Sequence, residues 1–467
     1  MNYLDYFKEI CKIPHGSGNT KMISDYLVKF AKDNGLTYYQ DKANNVIIVR
    51  EASKGREADE PVIIQGHMDM VAVHDDDYAI DMEKEGLNVK TDGDFLYAEG
   101  TSLGGDDGIA VAYALQLLSD KSLVLPGIEA VITVDEEVGM LGADVIDLSV
   151  LKGHTMLNID SEEEGVFLVS CAGGARIDFK YPMNKVEAGD GKAYKILIEG
   201  FKGGHSGTEI DKGRANAIEV MGTILKKLNE ANLVVGYADI KGGTADNAIC
   251  NACEAVIYSR EIEPALFDII KIEAMESYAS VETDYKITLT EVDAAGKEWF
   301  YNNETYLWHF LTSLPNGVIK MSADIEGLVQ TSLNKGIITM ENGNVNLSIS
   351  VRSSVDSEKD DLLDTLKRIA KEHGAETSVR GDYPGWAFRK ESPIRDKMVK
   401  TYEEMYGKEA EVQALHAGLE CGIFAKKIKD LDCVSFGPNI YDIHTTKEKL
   451  SLSSAERTWE FILKVLE

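Results

Sequence analysis

Val131-Ile-Thr-Val-Asp-Glu-Glu-Val-Gly-Met-Leu-Gly142 joins an apolar run to three consecutive acids and a glycine-bearing turn. A short β-branched run cut off by charge predicts a buried strand that ends where the acids begin. In open α/β sheets ligands sit in the crevice beyond the carboxyl ends of the strands, so acids at that position line a site. Neighbouring residues of extended chain point opposite ways. Glu136 and Glu137 can therefore serve separately, one on a cation and one toward a substrate, and a divalent ion would offset their repulsion. In a chain with 79 acidic residues, three adjacent carboxylates are most often a solvated turn. The reading depends on partners elsewhere in the chain.

Working outward, other strand-like runs end the same way. Pro61-Val-Ile-Ile-Gln65 leads into Gly66-His67-Met68-Asp69, and Thr155-Met-Leu-Asn-Ile-Asp160 leads into Ser161-Glu-Glu-Glu-Gly165. Between them a glycine-rich loop carries Asp106-Asp107-Gly108 and opens an apolar helix from Ile109 to Leu118, whose start favours anions. Residues 3–12 and 20–34 have helical spacing of apolar positions. This alternation of strands and helices predicts an α/β fold with a largely parallel sheet. From about residue 186 the texture changes to amphipathic strands and helices without acidic strand ends, and Tyr383-Pro384-Gly385 marks the return. The expected organisation is a discontinuous catalytic domain, 1–185 and 385–467, with an α+β lid domain inserted at 186–384. Two stretches of the insertion each place a strand ending in arginine, Arg260 or Arg352, ahead of a helix, which predicts an internal duplication.

A length of 467 residues exceeds one ordinary core. The formal charge of -30 argues against nucleic acid or anionic membrane as partners. The first ten residues lack the basic region, apolar core and cleavage site of a secretory signal, and no run reaches membrane-spanning length, so a cytoplasmic protein is expected. The six cysteines are too scattered for a disulfide framework. Cys250-Asn-Ala-Cys253 has zinc or redox spacing but no second ligand pair nearby, and is read as packing.

Acids and histidines at strand ends or loops reduce to His67, Asp106, Glu137, Asp160 and His444, the last in Tyr441-Asp-Ile-His-Thr-Thr446. Two imidazoles and three carboxylates suit two divalent ions, zinc first, with cobalt or manganese as alternatives, and a shared carboxylate can hold two ions roughly 3.5 to 4 Å apart. Asp69, two residues beyond His67, is expected to accept the free imidazole proton. His15, His74, His154, His309 and His373 stand beside no second ligand candidate and are read as structural.

Gly66-His67-Met68-Asp69-Met70-Val71, Gly104-Gly105-Asp106-Asp107-Gly108-Ile109, Asp135-Glu136-Glu137-Val138-Gly139 and Asn158-Ile159-Asp160-Ser161-Glu162 resemble, in content and order, the motifs of the aminoacyl-histidine dipeptidases. These belong to the carnosinase-like group of co-catalytic zinc metallopeptidases. Gly203-Gly204-His205-Ser206-Gly207 and His416-Ala417-Gly418-Leu419-Glu420 extend the resemblance over essentially the whole chain. Gly105 departs from it, standing where many relatives carry alanine.

The resemblance implies that Asp106 bridges two metals, that His67 and Asp160 complete one site, and that Glu137 and His444 complete the other. Glu136 is left as general base, His205 as oxyanion stabiliser with Asn247 assisting, and Arg352 as the clamp for a substrate carboxylate. His416 joins the substrate site, Glu420 holds the substrate amine, and the Asp106-Asp107 peptide bond is cis. Taken without the family, Arg352 reads as an ordinary salt-bridge partner on a strand. The activity implied is hydrolysis of unblocked dipeptides, Xaa-His and carnosine-like ones included. A broad-specificity dipeptidase or an N-acyl amino acid deacylase is the alternative. Glu136, superfluous in a purely structural site, argues against a metal-binding protein without turnover. The expected partners are small peptides, and the expected state is monomer or homodimer.

Overall fold

The computed structural model describes residues 1–187, 191–293, 299–302 and 306–467. The chain divides into two compact units, one of residues 1–171, 386–414 and 419–467, the other of residues 172–385 and 415–418.

The first unit is built on an eight-stranded sheet in the order Thr37–Gln40, Val46–Arg50, Ile128–Thr133, Val62–His67, Thr155–Asn158, Asp432–Ser435, Val166–Cys171, Glu411–Leu415. Its four central strands, from Ile128–Thr133 to Asp432–Ser435, pair with one another in parallel. Antiparallel pairs flank them, so the expectation of a largely parallel sheet holds for the centre and is corrected at the edges. Apart from half-buried Val62 and Thr155 at their starts, the central strands are buried, as parallel strands covered on both faces must be. The helix Gly105–Ser119 is apolar on all sides and almost wholly buried. It packs with Phe7, Ile10 and Leu27 from the two amino-terminal helices and with Phe461 and Ile462 from the helix Leu452–Leu466. Parallel register then fixes the site: Gly66 pairs with Ile132, His67 with Thr133, and Gln65 with Asn158. Three strands therefore end at one level, each delivering an acid or imidazole at or just beyond its last pairing.

The second unit holds a second sheet whose main path runs Lys286–Val292, Lys192–Glu199, Cys253–Ser259, Val234–Gly242, Val329–Glu341, Asn344–Ser353, Gly173–Pro182, Glu376–Tyr383. Two β-α-β-β-α-β modules account for this order. The first uses strands Lys192–Glu199, Val234–Gly242, Cys253–Ser259 and Lys286–Val292, with helices Ala217–Glu230 and Pro264–Met275. The other uses Gly173–Pro182, Val329–Glu341, Asn344–Ser353 and Glu376–Tyr383, with helices Leu307–Ser313 and Asp356–Glu372. Numbered within its own module, each runs fourth, first, third, second from the outside inward, and the two second strands meet at Gly242 and Ile338. The topology is thus duplicated, with the first module threaded between the first strand and first helix of the other. The sequence pattern also predicts a helix from Asn303 to Leu314, and the start of that stretch lies outside the described residues.

The expected insertion boundary at 186 moves to 172, because Gly173–Pro182 pairs along its length with Asn344–Ser353 and not with the first sheet. Leu415–Gly418 also joins the second unit, where Ala172 donates to the carbonyls of Leu415 and Ala417. All six cysteines are buried and unpaired as disulfides, in keeping with packing roles. Among the described residues no helix is long and apolar enough to cross a membrane.

Candidate active site

The turn after Ile128–Thr133 is closed by its own backbone. Met140 donates to Glu136 O, Leu141 to Asp135 O and Gly142 to Val134 O. Buried Asn45 braces it, accepting from Val134 N at 3.1 Å and donating to Gly142 O at 3.0 Å. From the neighbouring strand, the Asp69 carboxylate accepts from Glu136 N at 3.1 Å and from Ser17 Oγ at 2.8 Å.

These braces bring the expected ligands together. His67 Nε2 lies 3.2 Å from Asp106 Oδ1 and 3.5 Å from Asp160 Oδ1. His444 Nε2 lies 3.2 Å from Asp106 Oδ2 and 3.0 Å from Glu137 Oε1. The two oxygens of Asp106 therefore face different histidines, each flanked by a further carboxylate. Glu137 Oε1 is buried and makes no hydrogen bond of good geometry. Burial opposes a charge on His67, but contacts with Asp106, Asp160 and Asp69 outweigh it and hold the imidazole well above its usual range. His444 is drawn up to about 10 by Asp106 and Glu137. Protons on these imidazoles supply positive charge that divalent cations would supply better. The donor set, two imidazoles and three carboxylates around a doubly facing aspartate, fits a metal pair.

Glu136 is left over. Among the described residues no hydrogen bond reaches its carboxylate, and burial, with Asp160, Glu420 and Glu137 as like charges, holds it well above the carboxylate range against the pull of His67. A base of raised basicity beside an electrophilic site is what proton transfer near neutral pH requires. Beside Glu137 a cavity of about 980 Å³ opens, lined in part by Met70, Ile80, Met82 and Val138.

Two expectations need correction. The second imidazole nitrogen of His67, Nδ1, lies 3.0 Å from the carbonyl of Asp69 and 3.5 Å from its carboxylate, so the backbone is the proton's nearer acceptor and the side chain instead braces Glu136. Glu420, expected at the substrate amine, is wholly buried. Its Oε2 accepts from Thr133 Oγ1 at 2.7 Å and from Gln65 Nε2, beneath the strand ends.

Sequence reasoning missed two acids. Asp107, joined to Asp106 by a cis peptide bond as the resemblance implies, accepts from His67 N at 3.1 Å and lies among the groups able to reach a cation with His67 and Asp160. Glu448 is 3% exposed and accepts the backbone N–H groups of Leu103, Gly104 and Gly105. The doublet Asp106-Asp107 was a signal for the former. Nothing but its place four residues after His444 marked the latter in so acidic a chain.

The second unit gathers its own candidates. His205 Nδ1 accepts from Gly207 N at 3.3 Å and Thr208 N at 3.2 Å, which places the proton on Nε2 and makes that nitrogen a donor. Burial and the nearby Arg352 lower its pKa, favouring the neutral ring. His205 and Ala248 form an antiparallel bridge, and Ser206 N donates to Asn247 O at 2.9 Å, so the two loops are clasped. The Asn247 side chain is exposed. His416 Nε2 bonds Ser332 Oγ at 2.7 Å, and burial followed by Arg352 lowers its pKa to about 4. Arg352 is 9% exposed, donates to Tyr383 Oη at 3.2 Å and leaves Nε buried without a partner. Among the described residues no carboxylate neutralises it, unlike the salt-bridged Arg176 and Arg380 on neighbouring strands.

Residues 63–467 match the sequence model of peptidase family M20/M25/M40. The chain is 34% identical over 475 residues to the cytosol non-specific dipeptidase of Escherichia coli (strain K12), covering 99% of this chain and 96% of that protein. Its structure matches that of the aminoacylhistidine dipeptidase from Vibrio alginolyticus with a TM-score of 0.94 and 32% identity, covering 99% of this chain and 96% of the other. Aminopeptidase PepT from Bacillus cereus shares the fold, with a TM-score of 0.60 at 17% identity over 100% of this chain and 97% of that one. A family match across most of the chain and relatives matched over nearly their full lengths place the acid–imidazole cluster in a peptidase framework, and the chain belongs to peptidase family M20/M25/M40.

Proposed function

We propose that this chain hydrolyses unblocked dipeptides, Xaa-His and carnosine-like dipeptides among them, with two divalent cations, zinc by preference. The observation that carries the reading is Asp106, whose two oxygens each face a different histidine at 3.2 Å while Glu136 stands free of that set. His67, Asp106 and Asp160 would hold one cation, and Glu137, Asp106 and His444 the other. When bound, the pair polarises a carbonyl and makes water a nucleophile at neutral pH. Glu136 takes the proton from the attacking water and returns it to the departing amine. His205 donates from Nε2 to the developing oxyanion, and the exposed Asn247 amide assists. Arg352, with an unused buried N–H, takes the substrate carboxylate, and His416 beside it stays neutral and leaves that charge uncontested. The names of the Escherichia coli and Vibrio alginolyticus relatives support dipeptides over N-acyl amino acids, and a broad range of dipeptides remains the alternative to Xaa-His preference.

The test is a panel of free dipeptides, their carboxyl amides and N-acyl amino acids, assayed on chelated protein reloaded with zinc, cobalt or manganese. Free dipeptides should turn over and amides should not, and Arg352→Ala should erase that discrimination. Glu136→Gln should keep both metals and lose turnover by about 10²–10⁴-fold. Near-normal turnover in that variant would remove Glu136 as the base, and loss of metal would show that the two glutamates exchange roles.

A further inference from the structure

The chain from Leu103 to Asp106 bends sharply where the buried helix Gly105–Ser119 begins, with Gly104 in the left-handed region at φ 69° and Asp106 and Asp107 away from helical dihedrals. The first N–H groups of a helix have no acceptor within it. Glu448 supplies the acceptors. One carboxylate oxygen accepts from Leu103 N at 2.8 Å and Gly104 N at 3.1 Å, and the other accepts from Gly105 N at 2.8 Å and faces Asp106 N at 3.4 Å. Charge-assisted bonds to backbone N–H groups are among the stronger ones, and a carboxylate at a helix start gains from the dipole as well. The approach is close, since a Cβ at Gly105 would stand 3.2 Å from Glu448 Oε1.

Glu448 also ends the segment that carries His444. Its N–H donates to Thr445 O at 3.2 Å, and Lys449–Ser451 follows at once in the strand pairing with Phe95–Ala98. One side chain thus ties the loop bearing Asp106 to the loop bearing His444, two residues 338 positions apart whose side chains meet at 3.2 Å.

We infer that Glu448 is a positioning residue that holds Asp106 and His444 in register, so that it governs the cation shared by Asp106, Glu137 and His444 more than the one shared by His67, Asp106 and Asp160. The asymmetry follows from the fold. His67 and Asp160 sit at the ends of paired parallel strands that need no help, whereas His444 lies on a loop at φ 61° with no strand partner of its own.

The inference rests on the metal-pair reading, and its test separates the two. Chelated protein is titrated with Co²⁺, following the visible absorption and the bound metal by equilibrium dialysis, for the parent, Glu448→Gln and Glu448→Asp. Gln replaces one acceptor by a donor that faces other donors, and Asp keeps the charge but withdraws it by one methylene. The parent should bind two equivalents. In Glu448→Gln one equivalent should weaken at least tenfold with a changed spectrum while the other stays within about threefold, and Glu448→Asp should fall between. A parent binding fewer than two equivalents would sink the metal-pair reading. A parent binding two and a folded Asp or Gln variant binding both as the parent does, even with a lowered melting temperature, would overturn the role given to Glu448.

Discussion

At the scale of the residue, meaning came from where each group is placed, with its chemical type a weaker guide. Glu136, Glu137 and Glu420 are all glutamates within the same unit, yet the first has a carboxylate raised by burial and like charges, the second faces a histidine, and the third is sealed beneath the sheet. Burial raises the Glu420 pKa from 4.5 to about 7, with Asp160 adding to the rise and His67, Thr133 and Gln65 opposing it. A carboxyl whose native pKa is raised binds its proton more tightly folded than unfolded. The metal-free fold should therefore lose stability as pH climbs from about 4.5 to about 7 and level off above that, a span on the order of 3 kcal/mol. Glu420→Gln removes the titration. Thermal unfolding of chelated protein should show the variant gaining on the parent between pH 5 and pH 8. A gap that stays constant over that range would place the Glu420 charge elsewhere in the balance. The proposed ligands His67, Asp106, Glu137, Asp160 and His444 were legible because each sits at a strand end or in a loop within a recognisable motif. Glu420 was misread because a motif gives position along the chain and says nothing about which face of a helix start is sealed.

At the scale of the element, the strand ends do the positioning, and the sequence shows them wherever a β-branched run stops at an acid or a histidine. Direction was harder. Thr37–Gln40 and Val46–Arg50 are joined by five residues, too few for the crossover that parallel strands need, so their antiparallel pairing was available from loop length. Gly173–Pro182 follows Val166–Cys171 with only Ala172 between them, so no linker marks the change of unit, and the change of texture at 186 comes later than the change of sheet. Only pairing partners far along the chain, in Asn344–Ser353, reveal the switch. Close approach also leaves a mark. At Gly66 a Cβ would fall on Asp107 Oδ2 and stand 2.6 Å from Ala110 Cβ, so the strand end touches the cis-linked loop with no room for a side chain. Gly66→Ala should cost about 1–3 kcal/mol by overpacking. It should also weaken metal binding, because the displaced Asp107 holds the His67 backbone. Denaturant unfolding with metal titration checks both, and an unchanged midpoint would mean that the loop yields freely.

At the scale of the whole molecule, each unit has a core of its own. Phe7, Tyr113 and Phe461 belong to the first, and Phe179, Ile224 and Phe310 to the second. The first unit leaves the chain at Cys171 and resumes at Trp386, and these two residues exchange backbone hydrogen bonds at 3.0 and 2.9 Å. A tight turn can therefore replace residues 173–384 without stretching the first sheet, and a short loop costs little closure entropy. All five proposed metal ligands and Glu136 remain in what is left, whereas His205, Asn247 and Arg352 go with the excised part. The shortened protein should fold and bind two equivalents of metal, provided that Leu415–Gly418, deprived of the rest of the second unit, frays without unseating the helix Glu420–Lys427. Its dipeptide turnover should fall by at least 10²-fold, the scale of losing one preorganised oxyanion donor. Circular dichroism, metal analysis and turnover on one preparation decide the matter. Bound metal with no turnover supports a division of labour in which the first unit activates water and the second supplies the oxyanion donor and carboxylate clamp. Full turnover in the shortened protein would strip His205 and Arg352 of their proposed roles and confine the chemistry to the acid–imidazole cluster.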